Sequence, residues 1–255
     1  MKMTEYQDGV PSWVDLATSD LDAAKVFYGS LFSWNAETSE DPAAGGYTMF
    51  TLDGAPVAGA MGLMSPDQPV VWNTYVSVED ADKTAAAVTA GGGAVLMPPM
   101  DVMDVGRMAM FSDPEGAVFA CWQPRAHAGA AVVNEPGSLT WNELDTRDPA
   151  GAKAFYPGVF GWGVQTHVNG ADEYTEWQVD GRSIAGMMKM NDNFPPEAPP
   201  SWLVYFAVSD CDDTVSNLTE LGGSVLFPPT TIPQGRFAVC TDPQGAPFAV
   251  MSPAS

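Results

Sequence analysis

Trp13-Val14-Asp15-Leu16, followed by Asp20, Ala24-Lys25-Val26-Phe27-Tyr28 and Leu31-Phe32-Ser33-Trp34, decides the fold because it occurs twice. It returns as Trp141-Asn142-Glu143-Leu144, Asp148, Ala152-Lys153-Ala154-Phe155-Tyr156 and Val159-Phe160-Gly161-Trp162, at a constant offset of 128. Further out, residues 72–80 answer 202–210, and 92–99 answer 222–229, both at an offset of 130. Asp113-Pro114-Glu115-Gly116 answers Asp242-Pro243-Gln244-Gly245 at 129. Agreement over this length with so little drift marks an internal duplication.

Each half repeats a smaller unit. In residues 13–18, Val14 and Leu16 alternate with Trp13 and Asp15, as a half-buried strand requires. Asp20 then suits the N-cap of a helix whose apolar face is Ala23, Ala24, Phe27, Tyr28, Leu31 and Phe32. Strands are expected at 47–52 and 55–61. A second unit opens with a strand at 72–78 and a helix entered through Asp80 and ended near 91–93. Strands at 94–97, 107–112 and 117–122 follow, the last two joined by the Asp-Pro-x-Gly turn. The unit is strand, helix and three strands, and four copies make an α+β chain. The halves are 8–124 (units 10–64 and 70–124) and 139–253 (units 139–191 and 200–253), with 125–138 as a linker.

The 255 residues carry 10 basic and 32 acidic side chains, a net charge of -22. With no basic stripe to displace counterions, a nucleic-acid partner is excluded as an expectation. The acids are dispersed and read as a solvated surface. No segment is apolar for the roughly 18 residues of a membrane span, and no apolar leader follows Lys2, so a cytoplasmic protein without a membrane partner is expected. Cys121, Cys211 and Cys240 read as buried free thiols. The Gly45-Gly46 and 91–93 clusters lack a phosphate-loop pattern, and nothing calls for NAD, flavin or a nucleotide.

The strand ending in Ser19-Asp20, the Ala-x-x-Phe-Tyr helix, the Leu-Phe-Ser-Trp exit and the Asp-Pro-x-Gly hairpin together resemble the vicinal oxygen chelate superfamily, which includes glyoxalases, bleomycin-resistance proteins and extradiol dioxygenases. More narrowly, the tandem Trp-x-(Asp/Glu)-Leu and Phe-Tyr motifs look like actinobacterial proteins labelled glyoxalase-like or hydroxylase. The resemblance implies that paired βαβββ units form two cup-shaped domains, each cup being the ligand site. It also implies four metal-ligand positions per cup. These fall on Trp13, Asn73, Ala120 and the stretch 58–60 in the first half, and on Trp141, Leu203, Ala249 and 185–187 in the second. Indole, methyl and isobutyl groups are not donors to Zn, Ni, Fe or Mn. A metal-free site with no cofactor is therefore the expectation, with metal-dependent glyoxalase or dioxygenase activity as the alternative.

Alternation puts Asp15 beside Trp13 and Glu143 beside Trp141 on the cup face. Asn73 and Tyr75, and Tyr205, are expected to join them. Trp122 and Met251 serve as apolar walls, with Arg107 and Arg236 near the mouths. Asp15 and Glu143 are the candidate general bases or acids, and Tyr75 and Tyr205 the candidate oxyanion donors. Asp172, Glu173, Tyr174 and Glu176 near His167 read as a surface loop and strand edge. Phe27, Tyr28, Phe155 and Tyr156 read as packing, with the tyrosine hydroxyls at the edge. The leading expectation is a small-molecule protein, as an isomerase, lyase or cyclase acting on an apolar metabolite. The alternatives are a carrier that sequesters an antibiotic or metabolite, and an interaction protein. One or both cups hold ligand, and the chain is a monomer or homodimer.

Overall fold

Alternation in the first segment becomes strand β1 (Pro11–Thr18). The Asp20 carboxylate accepts the Ala23 N–H and opens helix α1 (Leu21–Phe32), which buries Ala24, Phe27, Tyr28 and Phe32. The rest of the first half runs β2 (Asn35–Thr38), β3 (Thr48–Leu52), β4 (Ala55–Gly62), β5 (Val71–Ser77), α2 (Ala81–Ala90), β6 (Ala94–Val102), β7 (Gly106–Ser112) and β8 (Val118–Pro124). The second half repeats it as β9 (Leu139–Thr146), α3 (Pro149–Phe160), β10 (Gly163–Asn169), β11 (Asp172–Val179), β12 (Arg182–Lys189), β13 (Ser201–Ala207), α4 (Cys211–Glu220), β14 (Ser224–Ile232), β15 (Gly235–Thr241) and β16 (Pro247–Pro253). This computed structural model describes residues 1–169, 172–192 and 194–254, and the side chains of Asn169 and Asp172 lie outside what is described.

Each half forms one eight-stranded sheet, in the order β2-β3-β4-β1-β5-β8-β7-β6 and β10-β11-β12-β9-β13-β16-β15-β14. The four βαβββ units are thus present, paired two to a sheet. β2 was not foreseen, because all four of its residues are exposed and carry no apolar alternation. β6 extends five residues past its expected end, through Pro98-Pro99. Proline is tolerated there because β6 is an edge strand with register shifts.

The face of each sheet that carries helices builds its core across the two halves. Phe32 of α1 lies 5.1 Å from Phe206 of β13, and Tyr28 lies 5.7 Å from Phe248 of β16. Reciprocally, Phe119 of β8 lies 5.5 Å from Tyr156 of α3. The two tyrosine hydroxyls are not at the helix edges; both residues are fully buried. Tyr28 donates to Asp242 at 3.1 Å, and Tyr156 to Asp113 at 3.0 Å. The other oxygen of each aspartate accepts two backbone N–H groups of its own Asp-Pro-x-Gly turn. One residue type therefore shapes the turn and joins the halves. Two glycines make the matching link: Trp162 donates to the Gly9 carbonyl, and Trp34 to that of Gly137. Gly9 and Gly137 both have φ 80°, a conformation that favours glycine.

The linker is not a free tether. Ala130, Val132 and Val133 are buried, and the Ala130 and Ala131 N–H groups bond to the Ser12 and Pro56 carbonyls. All three cysteines are buried and free, and burial pushes the Cys121 thiol up to about 12. Among the described residues no helix is long and apolar enough to cross a membrane.

Candidate functional site

The sheet faces opposite the helices are the two cups. In the first, antiparallel pairing sets Asp15 opposite Asn73 and Trp13 opposite Tyr75. The Asn73 amide donates to Asp15 Oδ1 at 2.9 Å and the Tyr75 hydroxyl to Oδ2 at 2.8 Å, so both carboxylate oxygens are engaged. Burial raises the Asp15 pKa above the ordinary carboxylate value, and these two donors pull it back. Tyr47 of the preceding loop accepts the Trp13 indole N–H at 2.9 Å. Its ring lies over Gly59, the strand partner of Asp15, and a Cβ at that position would meet the hydroxyl at 1.9 Å.

The second cup repeats the plan with different chemistry. Glu143 accepts Tyr174 at 2.7 Å on Oε2 and Tyr205 at 2.8 Å on Oε1, and Trp141 donates to Tyr174 at 3.0 Å. Gly186 lies beneath the Tyr174 hydroxyl as Gly59 lies beneath that of Tyr47. Leu203 stands opposite Glu143 in place of the asparagine. Two residues further along the same face of β9 comes Asp145, only 6% exposed, with no hydrogen-bond partner for Oδ1. Burial, and then the charge of Glu143, drives the Asp145 carboxyl well above the usual range. Two buried acids this close do not both ionise readily, so the pair binds protons more tightly than free carboxyls do. Burial followed by the charge on Glu143 also raises the hydroxyls of Tyr174 and Tyr205, which stay protonated as donors.

The expected residues divide cleanly. Trp13, Asp15, Asn73, Tyr75 and Trp122 meet in one cup, and Trp141, Glu143, Tyr205 and Met251 in the other. Arg107 and Arg236 do not stand at the mouths as expected. They point to the helix-bearing side, where Arg107 bonds to Asp82 of α2 and to Asp101, and Arg236 to Asp212 of α4. The count along β7 and β15 was one residue out of phase with the cup, whose side carries Met108 and Phe237. Tyr174 is no surface residue either, since its hydroxyl reaches Glu143.

Asp145, Tyr174, Tyr47 and His127 escaped the sequence reading. The first three were accessible from the repeat: Asp145 answers Ala17 at the offset of 128, and Tyr174 answers Tyr47 at 127. His127 was not, since nothing local places a linker residue against a strand. Its ring packs edge-on against Trp13 at 4.5 Å, and the Trp122 indole donates to its carbonyl at 2.8 Å. This caps one wall of the first cup, leaving Trp13 3% exposed, whereas Trp141 is half-buried. Burial lowers the His127 pKa.

The positions where a metal would be held do not fit one. Trp13, Asn73, Gly59 and Ala120 occupy them in the first cup, and Trp141, Leu203, Gly186 and Ala249 in the second. Each glycine is filled from above by a tyrosine hydroxyl. No group of three histidine, cysteine or acidic side chains converges among the described residues. Two shallow clefts lie outside the cups: one of about 420 Å³ lined by Arg147, Lys153, Glu173 and Lys189, and one of about 510 Å³ lined by Thr18, Leu21 and residues 62–66. Neither brings buried ionisable groups together.

Comparison with known proteins agrees with this architecture. The model of the glyoxalase/bleomycin resistance protein/dioxygenase superfamily matches residues 11–121 and again 138–250. CFP32 of Mycobacterium tuberculosis, provisionally named a glyoxylase, is 44% identical over 263 residues, covering 99% of this chain and 98% of that protein. The anthracycline biosynthesis protein DnrV of Streptomyces peucetius is 39% identical over 264 residues, covering 98% and 95%. Among solved structures, a Mn(II)-bound glyoxalase of Novosphingobium aromaticivorans superposes with a TM-score of 0.68 at 18% identity, covering 96% of this chain and 83% of that one. The 2,3-dioxygenase LapB of Pseudomonas sp. KL28 gives 0.67 at 13%, covering 98% and 94%. Identities this low speak for the fold alone.

Proposed function

Because the chain belongs to the glyoxalase/bleomycin resistance protein/dioxygenase superfamily, we propose that it is a small-molecule enzyme using metal-independent acid–base chemistry, with the second cup as its site. One observation carries this reading: Asp145, buried and with an unpartnered oxygen, stands beside a Glu143 already oriented by two tyrosines. A buried polar atom without a partner is costly to keep and calls for a role. The donor set at the metal positions supports metal independence.

The pair supplies both halves of a proton transfer. Glu143, as carboxylate, removes a proton from a carbon next to a substrate carbonyl. On becoming neutral it no longer holds both tyrosine hydroxyls, and one of them turns its hydrogen bond to the developing enolate oxygen. Asp145, as acid, returns a proton at a second atom, and transfer from Glu143 back to Asp145 resets the site. Such a shift is an isomerisation, and the same residues suit elimination or ring closure. The aromatic wall of Trp141, Tyr205 and Phe237 suits a ring-bearing apolar substrate. Kinship with a protein named for anthracycline biosynthesis points the same way.

The test is to incubate chelator-treated protein with a metabolite extract of the producing organism in D2O and follow the products by mass spectrometry. A substrate converted with deuterium uptake by the wild type, and left unconverted by Glu143→Gln, is the expected result. Conversion untouched by Glu143→Gln, or restored only by added divalent metal, overturns the reading. Recovery of a retained but unaltered compound supports sequestration instead.

A further inference from the structure

The hairpins β6–β7 and β14–β15 share a backbone and differ in what they carry. In the first, strand register sets Met97 opposite Met110 and Met100 opposite Met108. Met97 and Met100 are three residues apart, a spacing that would put them on opposite faces of a regular strand. The register shift at Pro98-Pro99 absorbs the extra residue, so both keep the face of their partners. That face belongs to the first cup, because Met108 pairs with Trp122 and Met110 with Ala120 of β8. The four thioethers thus form one block of two cross-strand pairs, a relation in which Cβ atoms stand about 4.5–5.5 Å apart.

In the second half the same registers bring together Phe227 with Val239 and Thr230 with Phe237. The Phe227 and Phe237 rings stack there at 5.6 Å. Side chains at the positions of Met97 and Met108 therefore reach one another. This hairpin forms without a methionine at any of the four positions, so the backbone does not demand the sulfurs. Solvent reaches the methionine block: Met100 is 45% exposed, and Met97, Met108 and Met110 are half-buried. Thioethers are neutral, soft donors, which favour Cu(I) over Zn(II) or Mn(II). Three rotatable bonds let each sulfur adjust to an ion. The net charge of -22 adds a field that attracts cations. We infer that Met97, Met100, Met108 and Met110 form a Cu(I) site on the first cup. It uses none of the residues of the acid–base site in the second cup and does not rest on that reading.

The experiment is anaerobic titration of the chelator-stripped full chain with Cu(I) against a competing chromogenic chelator, and calorimetry with Ag(I), a redox-inert ion of like softness. Either ion is expected to bind at a single equivalent, with Zn(II) taken up weakly or not at all. Because thioethers do not titrate, the affinity should hold within about threefold between about pH 5 and about pH 7, whereas thiolate or imidazole ligands would lose it with acid. Met97→Leu and Met108→Leu should each weaken binding about tenfold or more. Met97→Phe combined with Met108→Phe, which installs the pair that stacks in the second half, should abolish it. Met188→Leu, in the second half, should leave it unchanged. If the double variant fails to fold, the two leucine variants carry the same test. No saturable binding of Cu(I) or Ag(I), equal affinity for Zn(II), or binding that survives the methionine variants and is lost with Cys121→Ala or His127→Ala overturns the inference.

Discussion

The two cups share a scaffold down to the tyrosine over its glycine, yet they differ in how completely their acids are satisfied. In the first, Asp15 has a donor on each oxygen, its neighbour along the strand is Ala17, and His127 closes the Trp13 wall. In the second, Glu143 is one methylene longer and is held by tyrosines, Leu203 replaces the asparagine, and Asp145 is left with an open oxygen. Duplication thus produced one buried carboxylate with a donor on each oxygen and one pair of buried carboxyls with an open oxygen, while the unpartnered His127 Nε2 lies at the wall of the first cup. Similarity of backbone says where a site can be; we propose the second copy because the Asp145 carboxyl oxygen is unsatisfied there.

The sharpest way to break this comparison is to remove each acid in turn. Glu143→Gln should lower kcat/KM by roughly 10²- to 10⁴-fold, while Asp15→Asn, read in the same steady-state assay, should change it by less than about threefold. Loss with Asp15→Asn instead would move the site to the first cup. The tyrosines come next. Tyr174→Phe and Tyr205→Phe should each reduce kcat by about tenfold with a smaller effect on KM, since each removes one donor of about 1.5 kcal/mol to a charged group. Tyr47→Phe and Tyr75→Phe should leave kcat alone.

Stability sharpens the contrast further. The Glu143–Asp145 pair binds protons more tightly in the folded chain than in the unfolded one, whose carboxyls titrate near pH 4. Above that pH the native state binds the extra proton, so stability falls as pH rises through the raised carboxyl pKa. Asp145→Ala should therefore unfold later than the wild type at pH 8, by on the order of 1–3 kcal/mol, and this gain should shrink as the pH drops toward 4. A melting-temperature series for the two proteins checks both sign and window. The smallest effect belongs to His127→Ala. It should cost about 0.5–1.5 kcal/mol for the lost edge-on contact with Trp13 and leave turnover unchanged in the same assays.

Much of this was legible in the sequence because it rests on periodicity. The duplication, the βαβββ unit and the helix caps at Asp20, Asp80, Asp148 and Asp210 follow from spacing and short-range hydrogen bonding. So do the cup positions on β1 and β9. Phase slips on strands with weak alternation, which is why Arg107 and Arg236 were placed on the wrong face. Asp145 obeyed the same alternation as Glu143 but was passed over, because its counterpart Ala17 is chemically silent. His127 against Trp13, and Tyr28 against Asp242, join residues 114 and 214 positions apart. Such contacts depend on how the sheets and linker assemble and carry no local signal.

The central claim is that the second cup holds a carboxyl pair that binds protons more tightly than free carboxyls do. Carbon-13 carboxyl labelling of aspartate and glutamate, with Glu143→Gln, Asp145→Asn and Asp15→Asn used for assignment, follows these groups through a pH titration by NMR. The account predicts that the Glu143 and Asp145 signals move together in two separated steps, the second lying well above the ordinary carboxylate range and disappearing in either variant of the pair. A single step near pH 4 for both groups would contradict it.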